Sequence, residues 1–528
     1  METPTFGKAA VAAPHIDAAR AGKAILAEGG NAIEAMLAMA ATIAVVYPHM
    51  NGIGGDGFWT IREPNGRVRV IEACGYAGKK ATIDSYRANE HEIIPRRGPL
   101  AALTVPGAVG GWVLAQEFAK ALGGKLPAQA LLHDAVEKAR GGYRQSKSEA
   151  RYKHREAASL YAAPGFAQRF FVDGKIRAAG EARKTVSLAD TLAHLADAGF
   201  ADFYRGDIGR EIAADLERID APVVRDDLAR YAAVLREPLR LDLPGRTLLN
   251  TPPPTVGLLS LVSLGIFERL GVQRAETFEH IHGLVEASKR ALAIRDRACV
   301  DFDMKRPDPA SFLTPKYLER EAGKIDMKRA ASWPLPPEEG DTIWMGAIDE
   351  SGLAVSYIQS LFWEYGSGCV LPSTGILLQN RGVSFSLDPA HPNALQPGKK
   401  PMHTLNAPLA AFSDGRVMSY GSMGGDGQPQ FQAQIFSRYL LSGDVAGAID
   451  APRFRFDKRW GAPRATLKLE NRFDPSIVSR LDAVGHEIEE SGEAYADQFG
   501  HAGMLVRHRD GRIEATHDPR GDGGAEGI

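Results

Sequence analysis

The chain changes its periodicity near residue 340, and that change limits the fold to one that stacks helices on sheet. Upstream, the segments 110–122, 127–140, 187–198, 208–219 and 278–298 repeat Leu, Ala, Ile and charged residues at helical spacing. Thr251-Pro-Pro-Pro-Thr-Val-Gly257 interrupts them. The stretch 330–341, AASWPLPPEEGD, holds three prolines, two glutamates and a glycine, the composition of an exposed linker. Downstream, β-branched and aromatic residues mark strands at 344–348 and 354–359 around the turn Asp349-Glu-Ser-Gly352. A short strand at 417–420 lies between Gly415 and Gly421, and 504–508 with 512–515 forms a hairpin around Asp510-Gly511. A helix-rich first two-thirds followed by a strand-rich last third predicts an α+β, layered fold.

Residues 8–47 read as two helices joined at Gly29-Gly30, with Asn31 as N-cap of the second. The apolar run Ala35 to Tyr47 has 13 residues, short of the ~20 that span a bilayer, so a buried helix is expected. Segments 58–62 and 67–73 form a hairpin around Pro64-Asn65-Gly66. The 528 residues carry 63 Lys+Arg against 65 Asp+Glu, a net charge of −2. That balance excludes bulk attraction to nucleic acid or an acidic membrane. Cys74, Cys299 and Cys369 stand far apart and form no disulfide framework. With no basic region and apolar h-region at the start, the expectation is a cytoplasmic protein. Length alone, at roughly 150 residues per domain, suggests about three domains.

Gly52-Ile-Gly54-Gly55-Asp-Gly57 matches G-x-G-x-x-G. A dinucleotide site needs a strand before that turn and a helix after it; here a helical run precedes it and a strand follows. A second turn, Gly421-Ser-Met-Gly424-Gly425-Asp426-Gly427, repeats the G-G-D-G ending. Its backbone N–H groups can cradle an oxyanion, or the turn can be purely structural. The fourteen histidines show no metal-ligand spacing, and Asp301, Asp303 and Asp308 read as a solvated loop. No metal and no cofactor are expected, and no G-x-S-x-G elbow is present. Thr342 follows the linker as Gly340-Asp341-Thr342. Within a chain it is an ordinary strand residue. At a new N-terminus its own amine, with a reference pKa of about 7.7–8.0, can act as its base.

Taken in order, these pieces resemble the γ-glutamyltranspeptidase family of N-terminal nucleophile hydrolases over nearly the whole chain. Ala12-Ala-Pro-His15 with Gly29-Gly30-Asn31-Ala32, Pro48-His49 with the first glycine turn, and Thr104-Val-Pro-Gly107 follow the family's opening. Gly366-Ser-Gly368, Gly375-Ile-Leu-Leu-Gln-Asn380, the second glycine turn and Asp518-Pro-Arg520 follow its second part. The resemblance implies a four-layer αββα fold in one structural domain. It implies self-cleavage between Asp341 and Thr342 into a large subunit, 1–341, and a small one, 342–528. The two pieces stay associated, with a dimer of such heterodimers as the larger assembly. Thr342 becomes the nucleophile, Gly424 and Gly425 the oxyanion donors, and Ser360 the hydroxyl beside the nucleophile; a plain strand serine is the other reading of Ser360.

The substrate positions depart from the family pattern. An arginine-bearing stretch after the first hairpin is replaced by Cys74-Gly-Tyr-Ala-Gly78, and the polar residues near the G-I-L-L segment become Arg381 and Ser384. Phe362 stands for an asparagine, and His403-Thr404 for a pair of serines. An α-amino group needs acceptors, and Arg381 only donates. It suits a carboxylate instead, with His403 and Thr404 as further donors. Phe362, Trp363 and Tyr365 either narrow the pocket or belong to the core. The variant motifs resemble a branch of the family that hydrolyses oxamate to oxalate and ammonia in urate breakdown. Two alternatives stand beside it: γ-glutamyl transfer or glutathione hydrolysis, and an unprocessed, inactive homologue serving as a binding module.

Overall fold

The computed structural model describes residues 3–172, 175–301, 307–332, 341–457 and 465–528. Most of the proline-rich stretch, 333–340, and Asp303 lie outside the described residues. The predicted N-cap forms. Asn31 Oδ1 accepts from the amides of Ile33 and Glu34 at 3.1 and 3.0 Å, and Glu34 Oε2 accepts from the Asn31 amide at 2.9 Å. This capping box starts the helix Ala32–Val46, every residue of which is buried. Among the described residues no helix is long and apolar enough to cross a membrane.

Two seven-stranded antiparallel sheets form the centre. The first runs in the order Gly524–Gly527, Ala10–Ala13, Asp341–Ile348, Ala354–Phe362, Asp56–Arg62, Val68–Ala73, Val234–Arg236. The second runs Thr5–Phe6, Ile513–His517, Ala502–Arg507, Val417–Ser422, Leu409–Phe412, Arg246–Asn250, Leu239–Leu243. Three apolar cores separate the layers. One joins the first sheet to the helices Ala32–Val46, Ala108–Ala121 and Val186–Ala198, through Met39, Trp59, Trp112 and Leu192. A second joins the other sheet to Gly257–Glu268, Phe278–Leu292 and Gly427–Ser442. Between the sheets lie Ala10, Leu249, Trp344, Leu409, Leu505 and Ile513. The order is helix, sheet, sheet, helix, the αββα arrangement expected above.

The last third supplies seven of the fourteen strands in these sheets, as its patterning predicts. Three predicted elements differ. Residues 10–13 form a strand, not the start of a helix; Ala-Val-Ala-Ala has no strand propensity of its own and is held by neighbours on both sides. Strands at 234–250 interrupt the helical region. Residues 278–298 break after Leu292, with a separate turn of helix at Arg295–Ala298.

Trp344 ties the two sheets together. It is fully buried, and its Nε1 donates to Ser356 Oγ at 2.9 Å. A Cβ added at Gly421 would lie 2.3 Å from its ring, and one at Gly503 2.4 Å. Both glycines, on neighbouring strands of the second sheet, are therefore shaped to the indole. Trp344→Ala should cost about 3–5 kcal/mol, read as a lower urea midpoint at unchanged slope.

Candidate active site

Thr342 sits on the central hairpin of the first sheet. The ladder pairs Asp341 with Phe362 and then Ile343 with Gln359, so one extra residue is accommodated opposite Thr342. Such a bulge re-aims side chains at a strand end. Thr342 is buried, and its Oγ1 donates to Ser360 Oγ at 3.3 Å. Ser360 Oγ also accepts from the Phe362 amide at 2.7 Å. From the opposite side Gln428 Nε2 donates to Thr342 Oγ1 at 3.3 Å. Gln428 is itself held: Asn406 Nδ2 donates to its Oε1 at 3.2 Å, and Asn250 Nδ2 donates to Asn406 Oδ1 at 3.0 Å. All three amide side chains are buried, so each hydrogen bond is costly to lose.

Gln428 directly follows the second glycine turn, and its amide donates to the Gly425 carbonyl at 3.0 Å, which brings that turn to the hydroxyl. Gly424 and Gly425 take φ of +123° and +54°, a pair of left-handed conformations that side chains resist. Among the described residues neither amide N–H donates to a protein acceptor. Asp426 ends the turn and is paired with buried Arg295. The helix Gly427–Ser442 begins there. Two adjacent N–H groups in a buried turn are the arrangement an oxyanion needs.

The first glycine turn has another use. A Cβ at Gly55 would lie 2.1 Å from Ser360 O, and one at Gly54 2.2 Å from Leu377 O. The turn is glycine-rich because it packs on the backbone of Ser360 and Leu377, and the strand Asp56–Arg62 follows it.

Arg381 lies within the same buried region on the short turn Arg381–Ser384. Its Nη1 donates to Thr404 Oγ1 at 3.2 Å, and its guanidinium stands 3.3 Å from the centre of the Phe362 ring. Phe362 holds φ of +84°, a strained conformation for an aromatic residue. Phe362 thus faces Arg381, whereas Tyr365 belongs to a core with Leu160, Phe166 and Phe170. Trp363 is half-buried beneath the Arg96 guanidinium, 4.4 Å away. Ser384 donates to the carbonyls of Arg381 and Met402 at 3.1 and 3.3 Å. Its hydroxyl closes the turn that presents Arg381.

His403 is fully buried, with Nε2 3.5 Å from Asp56 Oδ2. Burial, with Arg381 and Lys400 nearby, holds the imidazole well below its usual pKa, so the ring is neutral. Asp56 Oδ1 accepts from the amides of Gly75 and Gly107 at 3.0 Å each and from Gln379 Nε2 at 3.1 Å. Burial nevertheless pushes its carboxyl up to about 7.

Asp56, Asn406 and Gln428 were not singled out from the sequence as site residues. Asp56 lies inside the first glycine turn and Gln428 just beyond the second, so the signal was their position in motifs already marked. Asn406 had no such signal. The fold brings His282, Glu286 and His486 together with ligand atoms within 4.8 Å of one another, although no sequence spacing shows it. The imidazoles bond to each other at 2.8 Å and Glu286 pairs with Lys289 at 2.8 Å, so each has a protein partner. Asp301 accepts from the Lys400 amide at 2.8 Å and Asp308 from the Ala310 amide at 3.0 Å. All three cysteines are buried and unpaired in disulfides.

Stacked sheets with helices outside, and a buried Thr hydroxyl beside a glycine turn, define an N-terminal nucleophile hydrolase fold. The Gamma-glutamyltranspeptidase family model matches residues 18–528. The chain is 46% identical over 518 residues to the oxamate amidohydrolase proenzyme of Klebsiella pneumoniae subsp. pneumoniae, covering 98% of each. It is 35% identical over 530 residues to the glutathione hydrolase-like YwrD proenzyme of Bacillus subtilis, covering 99% of this chain and 98% of that one. The crystal structure of cephalosporin acylase from Bacillus halodurans matches at a TM-score of 0.90 and 30% identity, covering 100% of this chain and 97% of that one. The chain belongs to the γ-glutamyltranspeptidase family.

Replacing Gln428 by Leu removes the donor to Thr342 and one of the two acceptors of Asn406 Nδ2, leaving the Thr404 carbonyl as the other. The expected result is a loss of about 1–3 kcal/mol in stability and a fall in turnover of about tenfold or more, checked by chemical denaturation and steady-state kinetics.

Proposed function

We propose that the protein is a self-processing amidohydrolase acting on a small amide that carries a carboxylate, with oxamate as its substrate. The observation that carries this reading is the Thr342 hydroxyl held between Ser360 and Gln428 beside the Gly424-Gly425 turn, with buried Arg381 in the same region. The proenzyme names of both relatives and the 46% identity to an oxamate amidohydrolase support it.

In the first step Thr342 Oγ attacks the Asp341 carbonyl carbon, and the peptide becomes an ester. Water hydrolyses the ester, leaving the Asp341 carboxylate and a free Thr342 amine. The large subunit then has 341 residues and the small one the remaining 187 of 528. In turnover Oγ attacks the amide carbon of oxamate and its proton passes to the Thr342 amine. The Gly424 and Gly425 amides hold the oxyanion; such a donor contributes about 3–4 kcal/mol. The ammonium proton goes to the departing nitrogen, which leaves as ammonia. Water, deprotonated by the amine, then releases oxalate.

Arg381 meets the substrate carboxylate with charge-assisted hydrogen bonds. A γ-glutamyl group is disfavoured because its α-ammonium would approach that guanidinium. The absence of disulfides fits a cytoplasmic setting, and the interleaved sheets fit two subunits that remain together, with a dimer of heterodimers as the larger assembly.

Purified protein incubated with oxamate should release ammonia, and Thr342→Ala should release none. No release by the wild type above that control contradicts the substrate. Arg381→Gln should raise the KM for oxamate about ten- to a hundredfold, the loss of about 1.5–3 kcal/mol expected for hydrogen bonds to a charged group.

A further inference from the structure

Asp56 and Ser360 are direct partners across neighbouring strands, so their side chains share a face. Ser360 in turn bonds Thr342. The carboxyl of Asp56 is therefore one strand from the hydroxyl beside the nucleophile. Its Oδ1 is saturated by three donors. Its Oδ2 has no hydrogen-bond partner and faces His403 Nε2 at 3.5 Å, and neither ring nitrogen of His403 has one. His403 precedes Thr404, which accepts from Arg381. A pair of unsatisfied, buried polar groups thus stands beside the guanidinium assigned to the substrate carboxylate. This inference rests on that assignment.

We propose that Asp56 and His403 determine the specificity of the pocket for anionic amides: the pair holds one exchangeable proton, and a substrate carboxylate binds Arg381 only while it is held. With the proton, the pair is neutral and the positive charge of Arg381 attracts the carboxylate. Without it, the pair is an anion that offsets Arg381 and repels the substrate. Of the carboxylates near the pair, Glu72 is ion-paired with Arg236 and Lys400, and Asp301 accepts from the Lys400 amide. The Cys74 thiol and the phenols of Tyr204, Tyr231 and Tyr357 are all raised by burial and stay neutral. Lys400 is cationic and paired with Glu72 on the strand Val68–Ala73. Burial places the loss of the Asp56 proton near neutrality. Asp56 acts through Arg381 and is a positioning residue.

The test compares oxamate with oxamide, its uncharged isostere, between pH 6 and 9 on the processed enzyme. The KM for oxamate should rise about tenfold per pH unit above neutrality, while the inhibition constant of oxamide stays level. Asp56→Asn keeps an acceptor for the three donors and fixes a neutral group at Oδ2, so it should flatten the oxamate slope. An equal slope in D56N and wild type overturns the proposal. Where D56N does not fold, the wild-type contrast decides, and parallel courses for oxamate and oxamide overturn it. A processed wild type that releases no ammonia from oxamate contradicts the substrate reading instead. Oxalate binding measured by calorimetry over the same pH range then tests the pocket: weakening above pH 7 supports it, and constant affinity overturns it.

Discussion

The rest of the structure depends on the pairing of the central hairpin within the first sheet. Asp341–Ile348 is bonded to Ala10–Ala13 on one side and Ala354–Phe362 on the other, and Ala354–Phe362 is bonded to Asp56–Arg62. Both outer neighbours come from before residue 341. A cut between Asp341 and Thr342 therefore takes only Asp341 off the strand and leaves the pairings of Ile343 to Ile348 in place. Thr342 thus sits on a paired strand and not on a loop, which fixes its hydroxyl far better. Trp344, two residues on, presses this strand against Gly421 and Gly503 of the second sheet. The same contact sets the strand that leads into the Gly424-Gly425 turn, so Thr342 and that turn are located by one packing event.

Charge completes the site. Arg381 is buried with its guanidinium against Phe362 and one donor on Thr404. The strained backbone of Phe362 follows from the same arrangement, because the residue that ends the bulged strand must turn its ring toward Arg381. Asp56 brings a carboxyl group into this region, and burial raises its pKa.

Much of this was legible from the order of short motifs. Thr342, Ser360, Arg381, Gly424 and Gly425 were all marked by position, and the structure brings them together. The capping box at Asn31 and the hairpin at Pro64-Asn65-Gly66 were legible because turns and caps are local. What was not legible is set by distant contacts. Ala10–Ala13 is a strand only because Gly346 and Gly524 lie beside it. The helix Gly427–Ser442 is buried all round, glutamines 428, 430, 432 and 434 included, so it has no polar face to reveal its period. Asn406 and Gln428 support Thr342 across 64 and 86 positions of sequence, and the row from Ser360 to Asp56 exists only once strands are paired. Ser384 closes the turn that presents Arg381, a local use of serine that spacing does not distinguish from a binding one.

The central claim is that Thr342 becomes an N-terminus. Intact mass spectrometry of the purified full-length protein, joined to N-terminal sequencing, tests it most directly. The account predicts two chains of 341 and 187 residues, the smaller beginning Thr-Ile-Trp-Met. A single species of 56.9 kDa that persists on incubation, or a cut at any other bond, contradicts it.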